Sequence, residues 1–297
     1  MKSVLGGPFC TIVQPVLFGH RLQIKRCETL RSLSRCPPFR CMCCTVAAAP
    51  VSSLITSDLV EQEFSELNLK HVFEKVGGVR TRQHVNPLKA SLMVPVLPPR
   101  WEDVFSDPSL PIAVDIGSGS GRFAMLLAKR NAGSCNYLGL EIRHQLVVRA
   151  NNWAAELNLS NVCFIYANAT VSFGSIMSTY PGPLKLVTIL CPDPHFKSRH
   201  HKRRIVQMQL VEKIIDSLAP GGKVFLQSDV KEVAEDMRRQ FEVKVDAYFL
   251  NDLEVNPSSY DKDGWLLDNC LGVRSEREIH AIAEGGQMYR SLYMKAS

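Results

Sequence analysis

Ile112-Ala-Val-Asp-Ile-Gly-Ser-Gly-Ser-Gly121 decides the fold class of this chain. Ile112-Ala-Val-Asp-Ile116 has the character of a buried strand. Glycines at alternate positions follow it, and a helical run then extends from Arg122 to about Asn131. Glycines between a strand and a helix let the backbone turn sharply and approach a ligand closely. A dinucleotide fingerprint needs Gly-x-Gly-x-x-Gly. The spacing here is Gly-x-Gly-x-Gly, with Asp115 two residues before Gly117. The turn alone is a weak signal, and Asp115 alone reads equally as a helix cap or loop anchor.

The alternation continues on the C-terminal side. Tyr137–Glu141 reads as a second strand, Gln145–Asn158 as a helix, Val162–Ala167 as a third strand and Leu184–Leu190 as a fourth. The spacing predicts a helix over Lys202–Leu218, ended by Pro220-Gly-Gly222, then a strand over Lys223–Ser228 and a helix over Lys231–Phe241. Further strands are expected near Lys244–Phe249 and Gln287–Met294. Strands alternating with helices imply a doubly wound α/β sheet. Residues 108–297 form its domain, residues 51–107 an N-terminal arm and linker, and there is no internal repeat. Within the arm, residues 58–75 carry apolar side chains at helical spacing.

In open parallel sheets, ligands collect outside the carboxyl ends of the strands, so the residues there are the candidates. Glu141 ends the second strand, where a carboxylate can accept from both ribose hydroxyls of a nucleoside cofactor. Asn168 ends the third, where a side-chain amide could read an adenine edge, although by itself it reads more readily as a turn residue. After the fourth strand comes Cys191-Pro-Asp-Pro-His-Phe-Lys-Ser-Arg-His-His-Lys-Arg-Arg204. Two prolines clamp Asp193, and Lys197, Arg199, Lys202, Arg203 and Arg204 follow it. A rigid acid beside so many cations suggests a catalytic pocket opening onto a polyanion. The plainer reading is a Pro-rich turn into a solvated basic helix start.

The glycine turn with Glu141 and Asn168 resembles the S-adenosylmethionine (SAM) site of class I methyltransferases more than a nicotinamide site. With Pro192-Asp-Pro-His-Phe-Lys197 after the fourth strand, the chain resembles the tRNA (guanine-N7)-methyltransferases from about Arg80 to Met294. Leu138-Gly-Leu-Glu-Ile142, Asn168-Ala169, Ser228-Asp229 and Gly272-Val-Arg-Ser-Glu-Arg-Glu278 carry the likeness as well. So does Arg80-Thr-Arg-Gln-His-Val-Asn-Pro87, which is similar to an arm of eukaryotic members. The resemblance implies a mostly parallel, seven-stranded class I sheet and SAM as the cofactor, held by Gly117, Glu141, Ile142, Asn168, Ala169 and Leu190. It makes Asp193 the catalytic acid and puts Lys197, Asp229, Ser275 and Glu278 on the nucleotide side. Ser275 stands where many members have Thr, and Asn168 where bacterial members often have Asp. The partner implied is tRNA, methylated at a guanine in its variable loop. A monomer and a complex with a second subunit both stay open.

Guanine N7 carries a lone pair and no proton, so attack needs no general base. The work left to the protein is alignment and an anion near the migrating positive charge. Charge stabilisation suits Asp193. Selection through guanine's N1–H and N2–H then falls to Asp229 or Glu278, and phosphate contacts to the Lys197–Arg204 run, which position without reading sequence. One rival is a methyltransferase of exocyclic or protein amide nitrogens, whose motif at this strand end is Asn/Asp-Pro-Pro-Tyr/Phe; here His195 follows the second proline. Another is a non-catalytic RNA-binding module on a decayed SAM fold, against which the intact Gly117, Gly119, Glu141 and Asp193 argue.

Across 297 residues, 45% hydrophobic and 22% charged, the composition is that of an ordinary folded domain with an extension. No apolar run reaches the roughly 18 residues of a membrane span, so no membrane partner is expected. The net charge of +6 permits nucleic acid without demanding it. The bias is concentrated at the N-terminus. Lys2, Arg21, Lys25, Arg26, Arg31, Arg35 and Arg40 stand against Glu28 alone in residues 1–57, among several hydroxyl residues. Basic, hydroxylated and nearly acid-free is a transit-peptide composition. Residues 1–50 are therefore expected to be a cleaved leader, chloroplast first and mitochondrion second, with a disordered basic arm as the other reading. Cys41-Met-Cys-Cys44 has no Cys/His partner pair at zinc spacing, so no metal is expected. Cys135, Cys163, Cys191 and Cys270 read as reduced thiols.

Overall fold

The computed structural model describes residues 51–76, 85–243, 249–251 and 256–296. Residues 1–50, expected as a leader, with the Cys41–Cys44 cluster, Arg80 and Arg82, lie outside the described residues. β1 (Ile112–Ile116) is buried along its whole length, as expected of a parallel strand covered on both faces. It pairs in parallel with β2 (Asn136–Glu141) on one side and β4 (Leu184–Leu190) on the other. With β3 (Val162–Tyr166), β5 (Leu218–Ser228), β6 (Phe249–Asn251) and β7 (Tyr289–Lys295) the sheet has, among the described residues, seven strands in the order β3-β2-β1-β4-β5-β7-β6. Among the described residues β7 runs antiparallel to both of its neighbours, β5 and β6. The chain reverses its direction of winding between β1 and β4, which opens a crevice at their carboxyl ends.

Alternate residues of each strand feed opposite cores, following the two-residue period of the pleat. Val114, Ile116, Leu138, Leu140, Val187 and Ile189 face one core, shared with α5 (Ala169–Met177), α6 (Met208–Ser217) and α7 (Lys231–Glu242). Ala113 and Tyr137 face the other, with α3 (Arg122–Arg130) and α4 (His144–Glu156). α3 begins at Gly121, whose φ of +83 suits glycine, and a Cβ there would stand 2.8 Å from Phe164 and 2.9 Å from Ala150. α3 ends with Lys129 and Arg130, where cations favour the helix dipole. α8 (Glu276–Ala283) starts with a reciprocal capping box between Ser275 and Glu278.

The segment expected as arm and linker is built into the same fold. Its helices α1 (Val51–Glu63) and α2 (Leu69–Val76) are parted by Asn68 at φ +48. They bring Val60, Phe64, Leu67 and Val72 onto the α3/α4 core. Trp101 and Phe105 stack together in the opposite core, with Tyr180 edge-on to both. Some elements differ from expectation. α5 has no counterpart in the sequence pattern, because Ala169-Thr-Val-Ser-Phe-Gly-Ser-Ile-Met177 lacks a polar face and holds β-branched residues and a glycine of low helix propensity. β5 starts at Leu218, ahead of the Pro-Gly-Gly turn, across a register shift at Leu184/Leu186. Residues 244–248 lie outside the described residues, and β6 is seen over Phe249–Asn251.

The largest departure concerns the basic run. Ser198–Arg203 is a short 3₁₀ turn, the chain then extends, and α6 starts only at Met208. The cause is Arg204, a buried side chain rather than a solvated one. Its guanidinium reaches Glu232 at 2.6 Å and Asp236 at 3.1 Å on α7, and its Nε donates to the Pro194 carbonyl at 3.0 Å. Neighbouring Val206 is buried too. An extended backbone satisfies both, and it keeps the cations away from a helix N-terminus, where the dipole opposes them.

Candidate active site

Gly117, Glu141, Ile142, Asn168, Ala169, Leu190 and Asp193 line one cleft at the carboxyl ends of β1–β4. Ile116, Arg143, His195 and Arg203 complete much of its wall. Gly117, at φ +81, has open space where a side chain would be. Its N–H, with that of Ser118, donates to the Leu140 carbonyl and locks the glycine turn to β2.

Glu141 is buried, and its carboxylate organises this turn. Oε2 accepts from the Gly119 N–H at 2.9 Å, while Oε1 accepts from the Arg143 N–H and Nε, both at 2.9 Å. Arg143 completes a two-pronged pair through Nη2, 3.1 Å from Oε2. Burial opposes the Arg143 charge, but Glu141, and further off Asp193, outweigh it and hold its pKa above the ordinary value. Sequence reading missed Arg143, although its position two residues after a strand-ending acid was the available signal. Asn168 caps α5: its Oδ1 accepts from Thr170 N at 3.2 Å and its Nδ2 donates to the Pro87 carbonyl at 3.1 Å. It lines the cleft and is also the turn residue of the plainer reading.

Asp193 is exposed at the cleft mouth. Cys191 and His195 on either side of the Pro-Asp-Pro unit have φ of +47 and +44. Such conformations cost about 1–3 kcal/mol each outside glycine, and they cluster where a side chain must be aimed. The Cys191 N–H is anchored on the Gln227 carbonyl at 2.7 Å. Burial pushes the Cys191 thiol up to about 12, so it is no nucleophile at neutral pH.

Lys197, Asp229, Ser275 and Glu278 do not line this cleft. Lys197 is exposed on the loop beyond Phe196. Asp229, just past β5, holds Arg277 through Oδ2 at 2.6 and 2.9 Å. Glu278 is buried, and both its oxygens are engaged. Oε1 takes Arg290 at 2.7 Å, and Oε2 takes Gln227, Asn269 and the Ser275 N–H. Glu278 is thus committed to the protein's own groups, which leaves Asp229 the more available of the two acids considered for base selection.

Asp115 lies beneath the cleft, buried, with its Oδ1 accepting from the Thr188 hydroxyl at 2.8 Å. Burial pushes its pKa up to about 7, eased by Thr188 and reinforced by Glu141. The folded state therefore binds this proton more tightly than the unfolded chain does. The stability it lends is full below the unfolded value near 3.8 and is lost as pH rises through about 7. At roughly 1.4 kcal/mol per pKa unit the swing is on the order of 4 kcal/mol. Asp115→Asn, which keeps the acceptor and removes the titration, is expected to gain stability over the wild type between pH 5 and pH 8. Denaturant titrations at both pH values measure it, and parallel curves for the two proteins would refute it.

The fit of these groups to a nucleoside cofactor is chemical. An open glycine turn, a buried carboxylate that holds it in place through Gly119, and an apolar slot of Ile142, Ala167, Ala169 and Leu190 share one cleft. On this sheet order, with its antiparallel β7, they define a class I SAM-dependent methyltransferase. A family model described as "Putative methyltransferase" matches residues 109–290. The tRNA (guanine-N(7)-)-methyltransferase of Synechococcus sp. (strain JA-3-3Ab) is 47% identical over 72% of this chain and 84% of its own length. Those of Trichormus variabilis (43% identical; 74% of this chain, 97% of theirs) and Synechocystis sp. (40% identical; 73% and 98%) are similar to it as well. The chain belongs to the tRNA (guanine-N7)-methyltransferase family.

Proposed function

We propose that this chain methylates N7 of a guanine in the variable loop of tRNA, with SAM as donor. The observation that carries this reading is the Asp193 carboxylate, set between two prolines and two positive-φ residues at the mouth of the cleft that holds Glu141 and the glycine turn. When bound, the cofactor supplies an electrophilic methyl group on a sulfonium. Glu141 and the turn orient the ligand, and the apolar wall excludes water. Asp193 puts negative charge where positive charge develops on the purine ring, the preorganised electrostatic help that a proton-free nucleophile needs. The test is methyl transfer from labelled SAM to tRNA, followed by nucleoside analysis. 7-Methylguanosine is expected, and it should vanish when the variable-loop guanine is replaced by 7-deazaguanine. Label in another nucleoside would sink the proposal.

The RNA surface begins beside this acid. Desolvation, and then the charges of Arg203, Arg199, Lys197 and Lys202, hold His200 below its ordinary pKa, so four cations converge on one imidazole. Removing a cation that neutralises one phosphate should flatten log affinity against log salt by roughly 0.7–0.9. Lys197→Ala, Arg199→Ala and Lys202→Ala are each expected to do so in anisotropy titrations, with SAM affinity unchanged. Arg204→Ala, which removes a buried ion pair instead, is expected to lower stability and leave the slope alone. A full slope in the triple variant would place the RNA elsewhere.

For residues 1–50 the proposed role is import into the chloroplast. Their basic, hydroxylated, nearly acid-free composition supports it, as does the cyanobacterial origin of the relatives above. A fluorescent protein carrying residues 1–57 is expected in that organelle, and cytosolic fluorescence would overturn the idea.

A further inference from the structure

The residues that open α8 reach four different parts of the molecule. Arg274 gives its backbone N–H and guanidinium to Glu63 of α1, at 2.6–2.9 Å. Ser275 and Glu278 close the capping box. Glu276 accepts from the Ser120 hydroxyl in the glycine turn and lies 3.4 Å from Arg122 Nη1. Arg277 holds Asp229. Ser120 follows Gly119, whose N–H is held by Glu141. A continuous set of polar contacts and covalent neighbours therefore joins Glu141, Gly119, Ser120, Glu276, Arg277 and Asp229. One end is the carboxylate facing the cofactor cleft, and the other is the acid placed on the nucleotide side.

An acid in the first turn of a helix is favourable for the dipole alone. The dipole does not account for the partners, since Ser120 is 156 residues away in sequence and sits in the turn that forms the cofactor site. We propose that Glu276 is a positioning residue that couples the two sites. Ordering of the glycine turn by the cofactor is passed through the Ser120–Glu276 hydrogen bond to α8 and so to Asp229, and SAM and tRNA favour each other's binding. This rests on the function proposed above. By linkage the effect is reciprocal, so either ligand can report it.

The experiment uses the full chain and S-adenosylhomocysteine, which cannot react, titrated calorimetrically with and without saturating tRNA. In the wild type, tRNA is expected to tighten its binding about fivefold or more, the lower end of ordinary coupling. In Glu276→Ala the ratio should fall to within roughly twofold, and Ser120→Ala, approached from the other partner, should do the same. The double variant should be no worse than either single one, because both break the same hydrogen bond. A role confined to the helix dipole would lower the melting temperature and leave the ratio intact. A wild-type ratio retained in Ser120→Ala or in folded Glu276→Ala overturns the coupling alone. A wild type that binds tRNA but shows no enhancement overturns it too, and a wild type that binds no tRNA overturns the functional reading with it.

Discussion

Replacing Asp193 with Asn is expected to lower the maximal rate of methyl transfer by roughly 10²-fold or more, the usual cost of losing one preorganised electrostatic group. The side chain keeps its shape and its place between Pro192 and Pro194, so only the charge is removed. Cofactor affinity should change far less than the rate, because Glu141 holds the glycine turn directly through the Gly119 N–H. The reverse outcome, a normal rate with weakened SAM binding, would make Asp193 a cofactor ligand. Arg143 adds a control. It is paired with Glu141 and feels Asp193, so losing it should affect cofactor binding first, and the two variants should separate in a plot of rate against affinity.

Arg290→Met is expected to cost about 3–5 kcal/mol of stability, the effect of stranding one partner of a buried ion pair. Arg290 is 7% exposed and Glu278 1%. Arg290 donates to Glu278 at 2.7 Å, to Gln227 at 2.9 Å and to the Leu267 carbonyl at 2.9 Å. Methionine fills a similar volume but leaves the Glu278 carboxylate with neutral partners only. At roughly 2–4 °C per kcal/mol for a protein of this size, the melting temperature should fall by about 6–20 °C. Combining it with Glu278→Gln should restore a good part of the stability, since the stranded charge is gone. A small effect in the single variant would mean that water reaches Glu278, and would reopen its role on the nucleotide side.

Much of this molecule was legible one segment at a time. The strand, glycine turn and helix at Ile112–Arg130 read correctly because strand patterning, turn chemistry and helix period are local properties. Glu141, Asn168 and Asp193 stood out because each follows a strand-like run, and parallel strands bring their carboxyl ends together. α5 escaped because a helix buried among other elements has no polar face to announce it. Arg204 and Glu278 belong to motifs, a basic run and a C-terminal acid. A motif does not say which of its members turn inward.

By itself, then, the sequence determined the parallel sheet, the position of the cofactor turn and the acids at its edge, all consequences of neighbours a few residues apart. Only the tertiary structure decided which charges remain available to a ligand. Glu232 and Asp236, one turn apart on α7, close over Arg204, and Arg290 on β7 arrives beside Glu278. In both cases the partner comes from a distant element, and burial makes leaving a charge unpaired cost more than bringing that element to it.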